Sequence, residues 1–238
     1  MIRRISGPTE SGFHRIAWDL RYPAPQAIDP ASVDEEEEEE DGDEPAGLMV
    51  APGAYYATLY SEKEGNMRKL SDAVEIKVEP LREGVLEGAP DDVVAGFWRD
   101  YEGLVSRSSA LNLELSKGMQ KYKALELALK RAQATPGELD NRLFALRDRL
   151  KKLDHDLNGN VAKRQVGEKT MPTVAERIFA INRGITHSTY GPTDTHKETY
   201  TIVVDELNAL EGEMASIKEG LSELADDLEA AGAPSVED

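Results

Sequence analysis

The chain has 238 residues, 39% of them hydrophobic and 6% aromatic, enough for one large or two modest domains around a mainly aliphatic core. It contains no Cys, which excludes disulfides, thiolate zinc sites and cysteine nucleophiles. No run approaches the ~18 apolar residues of a membrane-spanning helix. Lys and Arg number 28 against 46 Asp and Glu, for a formal charge of −18, and ten of the acids lie within residues 34–44.

Without those ten the charge is −8, still of the sign that repels phosphate backbones. The densest basic stretch, Arg147, Arg149, Lys151 and Lys152, is interleaved with Leu146, Leu150 and Leu153. That is the solvated face of an amphipathic helix, so the expected partners include no nucleic acid. The segment Met1–Pro8 has two arginines but no apolar stretch behind them and does not have the form of a signal peptide. The compartment stays open.

The first ~80 residues alternate with the period of β structure. Over residues 12–20, His14, Ile16, Trp18 and Leu20 share one face of a predicted strand. Pro23, Pro25, Pro30 and the acidic run then form a long polar connection. Pro52-Gly53 is a turn signal ahead of a β-rich run to Tyr60, and Glu64-Gly65-Asn66 predicts a hairpin turn. Residues 72–78 form the next strand, with Val74, Ile76 and Val78 on one face. So few strands in so short a segment predict a small antiparallel sandwich.

From Pro90 onward the period becomes helical. The first helix places Phe97, Tyr101, Leu104, Leu111, Leu115, Tyr122, Leu125 and Leu129 near one face, and Asp91-Asp92 suit the dipole at its start. Thr135-Pro136-Gly137-Glu138 predicts a capped second helix carrying Leu139, Leu143, Leu146, Leu150, Leu153 and Leu157, which Asn158-Gly159-Asn160 stops. A short helix from Thr173 repeats Val174, Ile178, Ile181 and Ile185. The last helix spaces Val203, Leu207, Leu210, Met214, Ile217, Leu221, Leu224 and Leu228 alternately four and three apart. Such seams, interrupted at Pro136 and Pro172, predict an antiparallel helical bundle in which the long first and last helices pair in antiparallel fashion.

The predicted fold class is therefore a two-part α+β chain. Residues 1–82 form a small antiparallel Ig-like β-sandwich with an acidic loop insert at 29–46. Residues 90–232 form the bundle, with helices over 91–132, 136–158, 173–186 and 194–231, and residues 233–238 a disordered tail.

Chemistry is hard to place on this pattern. His14, His155, His187 and His196 are scattered and none makes a helical metal-ligand pair. Ser188, His187 and Asp194 lie close in sequence, but no nucleophile elbow accompanies them, and the glutamate run lacks the spacing of a calcium loop. Asp19, beside Trp18, is the most pointed single acid, and an acid in that position caps a turn more often than it catalyses. No catalytic, cofactor-binding or metal-ligating residue is predicted, and no cofactor.

The order of features carries a resemblance. Gly12-Phe-His-Arg-Ile-Ala-Trp-Asp-Leu-Arg-Tyr22 followed by Gly47-Leu-Met-Val-Ala-Pro-Gly-Ala-Tyr-Tyr56 resembles the Ig-like module of many bacterial exported proteins. With Met171-Pro-Thr-Val-Ala-Glu-Arg177, Ser188-Thr-Tyr-Gly-Pro-Thr193 and the ending Leu228-Glu-Ala-Ala-Gly-Ala-Pro234, nearly the whole chain is similar to the C-terminal region of sortilin-type, sialidase-like (BNR-repeat) β-propeller proteins. These are often labelled glycosyl hydrolases. It departs from them in the length of the glutamate run and at Glu79-Pro80-Leu81, where an Asp-Pro-Arg-like exit is usual. The resemblance implies a non-catalytic accessory region, the C-terminal part of a larger exported polypeptide whose propeller holds any catalytic or ligand site. The implied partner is a β-propeller of the same or another chain, with a further protein partner on the bundle and no membrane insertion. The rival expectations are a glycosyl hydrolase component completed by a propeller, and an independent coiled-coil adaptor that oligomerises through its last helix.

Overall fold

The structure, a computed structural model, describes residues 1–31, 46–81, 87–133, 135–186, 188 and 190–236. The acidic run and His187 lie outside them.

The chain is mixed α+β, with its main core in the helices. Strands β1 (Arg21–Pro23), β2 (Ala46–Met49), β3 (Gly53–Ala57), β4 (Tyr60–Lys63), β5 (Asn66–Lys69) and β6 (Val74–Val78) come first. Helices α1 (Asp91–Leu129), α2 (Glu138–Asn158), α3 (Val161–Gln165), α4 (Val174–Thr186) and α5 (Asp194–Ala230) follow. At ~1.5 Å per residue, α1 is about 58 Å long and α5 nearly as long.

The leucine seams bury as their spacing demands. Leu104, Leu125, Leu150, Leu153, Leu157, Leu207, Met214, Ile217, Leu221, Leu224 and Leu228 are all essentially inaccessible and belong to one cluster. A smaller cluster of Tyr101, Ile181 and Ile185 lies at the other end, bordered by Phe97, Trp98, Tyr200 and Leu48. Burial foremost, then the nearby Glu102 carboxylate, pushes the Tyr101 phenol up to about 12, so it stays neutral. Gly118 sits where three helices meet. A β-carbon there would stand 2.9 Å from Met214 Cε and 3.2 Å from Leu150 Cδ2.

The direction of the long helices differs from the expectation. Arg107 donates to Glu211 at 2.9 and 2.8 Å, and one heptad on Lys218 donates to Glu114 at 3.0 Å. Beyond the helix ends, the Gln133 amide donates to the Ala231 carbonyl. Partners on α5 advance in step with α1, so the two helices run parallel. α2 runs against both: Asn158 reaches Asn112, Arg142 reaches Asp227 and Arg149 reaches Glu213. α4 also runs against α5, with Arg177 3.3 Å from Glu206 and Gly184 under the His196 ring. Together α2 and α4 are one broken antiparallel element, so the bundle has three layers, up, down and up. The reason is local: the chain breaks at Gly159 (φ 83°) but does not turn back before Thr173, leaving α5 as the second upward helix.

Polar ends and ion pairs fit this arrangement. Thr173 opens α4 through reciprocal bonds with Glu176, and Thr193 opens α5 through reciprocal bonds with His196. α2 begins at Glu138 rather than at Pro136, with the Gly137 amide donating to Asp140. The hydrogen bond from Arg149 foremost, against an opposing effect of burial, holds the Glu213 carboxyl below its ordinary range. Of the tail expected to be disordered over 233–238, the described part, 233–236, is packed instead. The Ala233 amide donates to Leu228, Ala233 is buried and Val236 rests half-buried on the main cluster.

The β segment differs more. Its strands form three separate two-stranded antiparallel ladders, β1–β2, β3–β6 and β4–β5, and among the described residues they do not close into a sandwich. The strand expected over 12–20 is absent: among the described residues no strand pairs with it, and Leu20 takes a left-handed turn (φ 59°). β3 and β4 split the run that was expected to be continuous to Tyr60. The hairpin turn at Glu64–Gly65 is where the sequence predicts it.

Candidate docking surface

The β segment is tied to the bundle through a few polar contacts on α1. Gly47 lets β2 approach closely: a β-carbon there would lie 2.5 Å from the Pro23 carbonyl oxygen, 2.9 Å from that of Tyr22 and 3.0 Å from Glu102 Oε1. The next amide, Leu48, donates to the same Glu102 oxygen at 2.8 Å. The Arg99 guanidinium lies 3.3 Å over the Tyr22 ring and 2.7 Å from Glu102, and the Ala27 amide donates to Ser109 Oγ. Gly47→Ala is expected to push β2 off β1 and so loosen its bond to Glu102 on α1, because the two closest obstructing atoms are the Pro23 and Tyr22 backbone oxygens. The local cost is about 1–3 kcal/mol, comparable to overpacking a core. Hydrogen exchange at the Leu48 amide checks this, with faster exchange expected and an unchanged helical melting curve.

Asp19 caps a turn. Its Oδ1 accepts from the Arg21 amide at 3.0 Å and its Oδ2 from Arg3 at 3.0 Å, while Trp18 Nε1 donates to the Arg21 carbonyl. Desolvation pushes its carboxyl upward, but the Arg21 amide and the Arg3 guanidinium outweigh it and hold the group below the usual carboxylate range. An ionised, turn-bound acid has no free proton to offer as a general acid.

Beyond this attachment, β3 to β6 form one bent ribbon. In β3–β6, Gly53 faces Val78, Tyr55 faces Ile76 and Ala57 faces Val74. In β4–β5, Tyr60 faces Lys69 and Lys63 faces Asn66, and the Leu70 amide donates to the Leu59 carbonyl. The ribbon bends where Thr58 and Leu59 on one arm oppose four residues, 70–73, on the other. Among the described residues its base is covered: the Tyr55 ring meets Trp18 edge-on at 5.5 Å and its hydroxyl donates to the Ala51 carbonyl.

Most of the rest of the ribbon is exposed, with Thr58, Ser61, Ser71 and Val78 half-buried. Tyr56 is 64% exposed, Val74 62% and Leu59 57%, with Tyr60, Met67 and Leu70 also open. Phe13 and Ile16, ahead of β1, are exposed as well. A two-stranded ribbon is at best marginally stable alone and gains stability by packing an apolar face on another element. Single exposed apolar residues are ordinary, but a concentration of them on a segment without its own core marks an interaction surface. The sequence puts Val74, Ile76 and Val78 on one face of a strand in a predicted sandwich; among the described residues no second sheet covers that face, and Val74 and Ile76 are exposed.

The bundle has an open groove of about 380 Å³ at the break between α2 and α4, lined by His155, Asp156, Thr173 and Glu206 among others. Its acids are already engaged, Asp156 by Lys152 at 2.5 Å and Glu206 by Arg177. His14 Nε2 lies 2.8 Å from the Glu10 carbonyl, His196 is occupied in the α5 cap and His155 lines the groove, so the three described histidines are each in a different setting. Ser188 Oγ accepts from the Tyr190 amide, and Asp194 lies 3.6 Å from Lys197. Among the described residues no three His, Asp or Glu side chains form a group that could hold a metal ion, and no helix is long and apolar enough to cross a membrane. No protein-family model, no curated protein and no solved structure matches the chain.

Proposed function

We propose that this chain is a non-catalytic accessory region that docks through its β segment onto a β-propeller of the same or a partner chain, while the helical bundle serves as the rigid scaffold. One observation carries the reading: the bundle satisfies its own seams, whereas the ribbon beside it leaves Tyr56, Leu59, Tyr60, Met67 and Leu70 open. The Trp-Asp-Leu-Arg-Tyr and Pro-Gly-Ala-Tyr segments supply the link to propeller proteins of the sialidase-like type. In those proteins the chemistry belongs to the propeller, in keeping with the turn-capping use of Asp19 here.

Native-gel and denaturing immunoblots of the source cells test the proposal. The expected native species is several-fold larger than 26.2 kDa and contains a propeller, whether or not the two are covalently joined. Amides of residues 59–70 should exchange at least about tenfold more slowly in that species than in the isolated chain, the equivalent of ~1.4 kcal/mol. A native species of one or two copies of this chain alone, or unchanged exchange over 59–70, overturns it.

A further inference from the structure

We propose that the free edge of β6 pairs with β6 of a second copy of this chain, forming a two-fold symmetric, four-stranded sheet β3–β6–β6–β3. This stands apart from the docking reading, which uses the apolar faces and hairpin of the ribbon rather than its edge.

β6 has one partner, β3, and among the described residues no backbone hydrogen bond leaves Val74–Val78 in any other direction. A strand with an open row of amides and carbonyls is a template for another strand. The sequence of β6 specifies which one. It reads Val-Glu-Ile-Lys-Val, a palindrome in hydropathy whose two charges are opposite. In an antiparallel pair of two such strands centred on Ile76, each Val74 faces a Val78, the two Ile76 side chains face each other, and each Glu75 faces a Lys77. Both charge pairs are complementary and lie on one face, while the apolar residues lie on the other. A slip of one residue would set charged side chains against apolar ones, so the register is specified.

The surroundings agree. Val74 is 62% and Ile76 38% exposed, so the apolar face has area to lose. Glu75 has no ion-pair partner among the described residues, and Lys77 has only the exposed Glu79. Across β3 the same residues meet Tyr56 and Ala54, which carry no charge, so exchanging them introduces no repulsion within the chain. A two-fold, self-complementary contact closes on itself as a dimer and does not propagate.

Sedimentation equilibrium on the full chain, at about 1–100 μM to bracket a micromolar constant, reads the proposal. The unaltered chain is expected to dimerise. Glu75→Lys and Lys77→Glu should each raise the dissociation constant at least about tenfold, because each sets like charges opposite one another twice. The double exchange Glu75→Lys with Lys77→Glu should restore it. An equimolar mixture of the two single variants should form a mixed dimer, since one strand is then wholly basic where the other is wholly acidic. Helical circular dichroism identical across all four proteins confirms that folding is untouched. A chain that stays monomeric throughout, single variants that dimerise like the original, or a mixture that fails to associate overturns the proposal.

Discussion

Leu221→Asp is expected to abolish the cooperative unfolding transition of the bundle. Leu221 is 1% exposed, on the face of α5 that meets Gly118 of α1, in a cluster that is aliphatic apart from Tyr122. No buried residue of that cluster carries a cation to pair with a carboxylate there, which must remain charged in a dry environment or bind a proton to become neutral. The loss should exceed about 4 kcal/mol, a large share of the ~5–15 kcal/mol that holds a typical domain together. Thermal melting followed by far-ultraviolet circular dichroism checks it. Leu127→Asp, on the half-exposed face of α1, is the control and should change stability by no more than about 0.5 kcal/mol. The experiment also separates two uses of the heptads. Were the seam of α5 the contact between copies, the variant would be a folded monomer; with the seam filled by α1 and α2, it is an unfolded chain.

Leu150→Ala is expected to cost about 2–5 kcal/mol, the range for emptying a well-packed leucine site. Leu150 is wholly buried in α2 and its Cδ2 approaches the open side of Gly118. Equilibrium unfolding in urea should show a lower midpoint with an unchanged slope. The two sites are coupled. A methyl added by Gly118→Ala would stand 2.9 Å from Met214 Cε and 3.2 Å from Leu150 Cδ2; removing the Leu150 side chain relieves the second contact and leaves space into which the flexible end of Met214 can move. Gly118→Ala should therefore recover part of the loss in the Leu150→Ala background, and a double-mutant cycle measures the coupling. Additive effects would show that the helices reposition instead.

The helices were legible in the sequence because burial repeats there at a spacing that only a helix puts on one side. Leu143, Leu146, Leu150, Leu153 and Leu157 are buried in α2 as the four-three alternation requires. The direction of pairing was not legible, since an apolar seam looks alike read either way. Direction came from charges that face one another a hundred residues apart, Arg107 with Glu211 and Lys218 with Glu114. Gly118 gave no signal either, because its role is to be absent from a space that three helices share. In the β segment, alternation over residues 12–20 matched a strand, but a strand also needs a neighbour, and Asp19 and Trp18 use their polar atoms to hold a turn at Arg21. The candidate surface was half legible: the apolar residues of β6 were seen, while their exposure depends on what does not fold over them.

Parallel pairing of α1 with α5 has a consequence for the order of events during synthesis. Arg107 and Glu211 are 104 positions apart, and no part of that contact can form until α2, α4 and the reversal before Thr193 have all been made. The α1–α2 hairpin, by contrast, is available once Asn158 has emerged, and joins Gly118 to Leu150 across a short connection. Closing the long loop costs entropy that only the finished α5 can offset, so contacts of this separation form late. Until then the nascent hairpin shows one bare leucine face, and that face is covered only once α5 has been made.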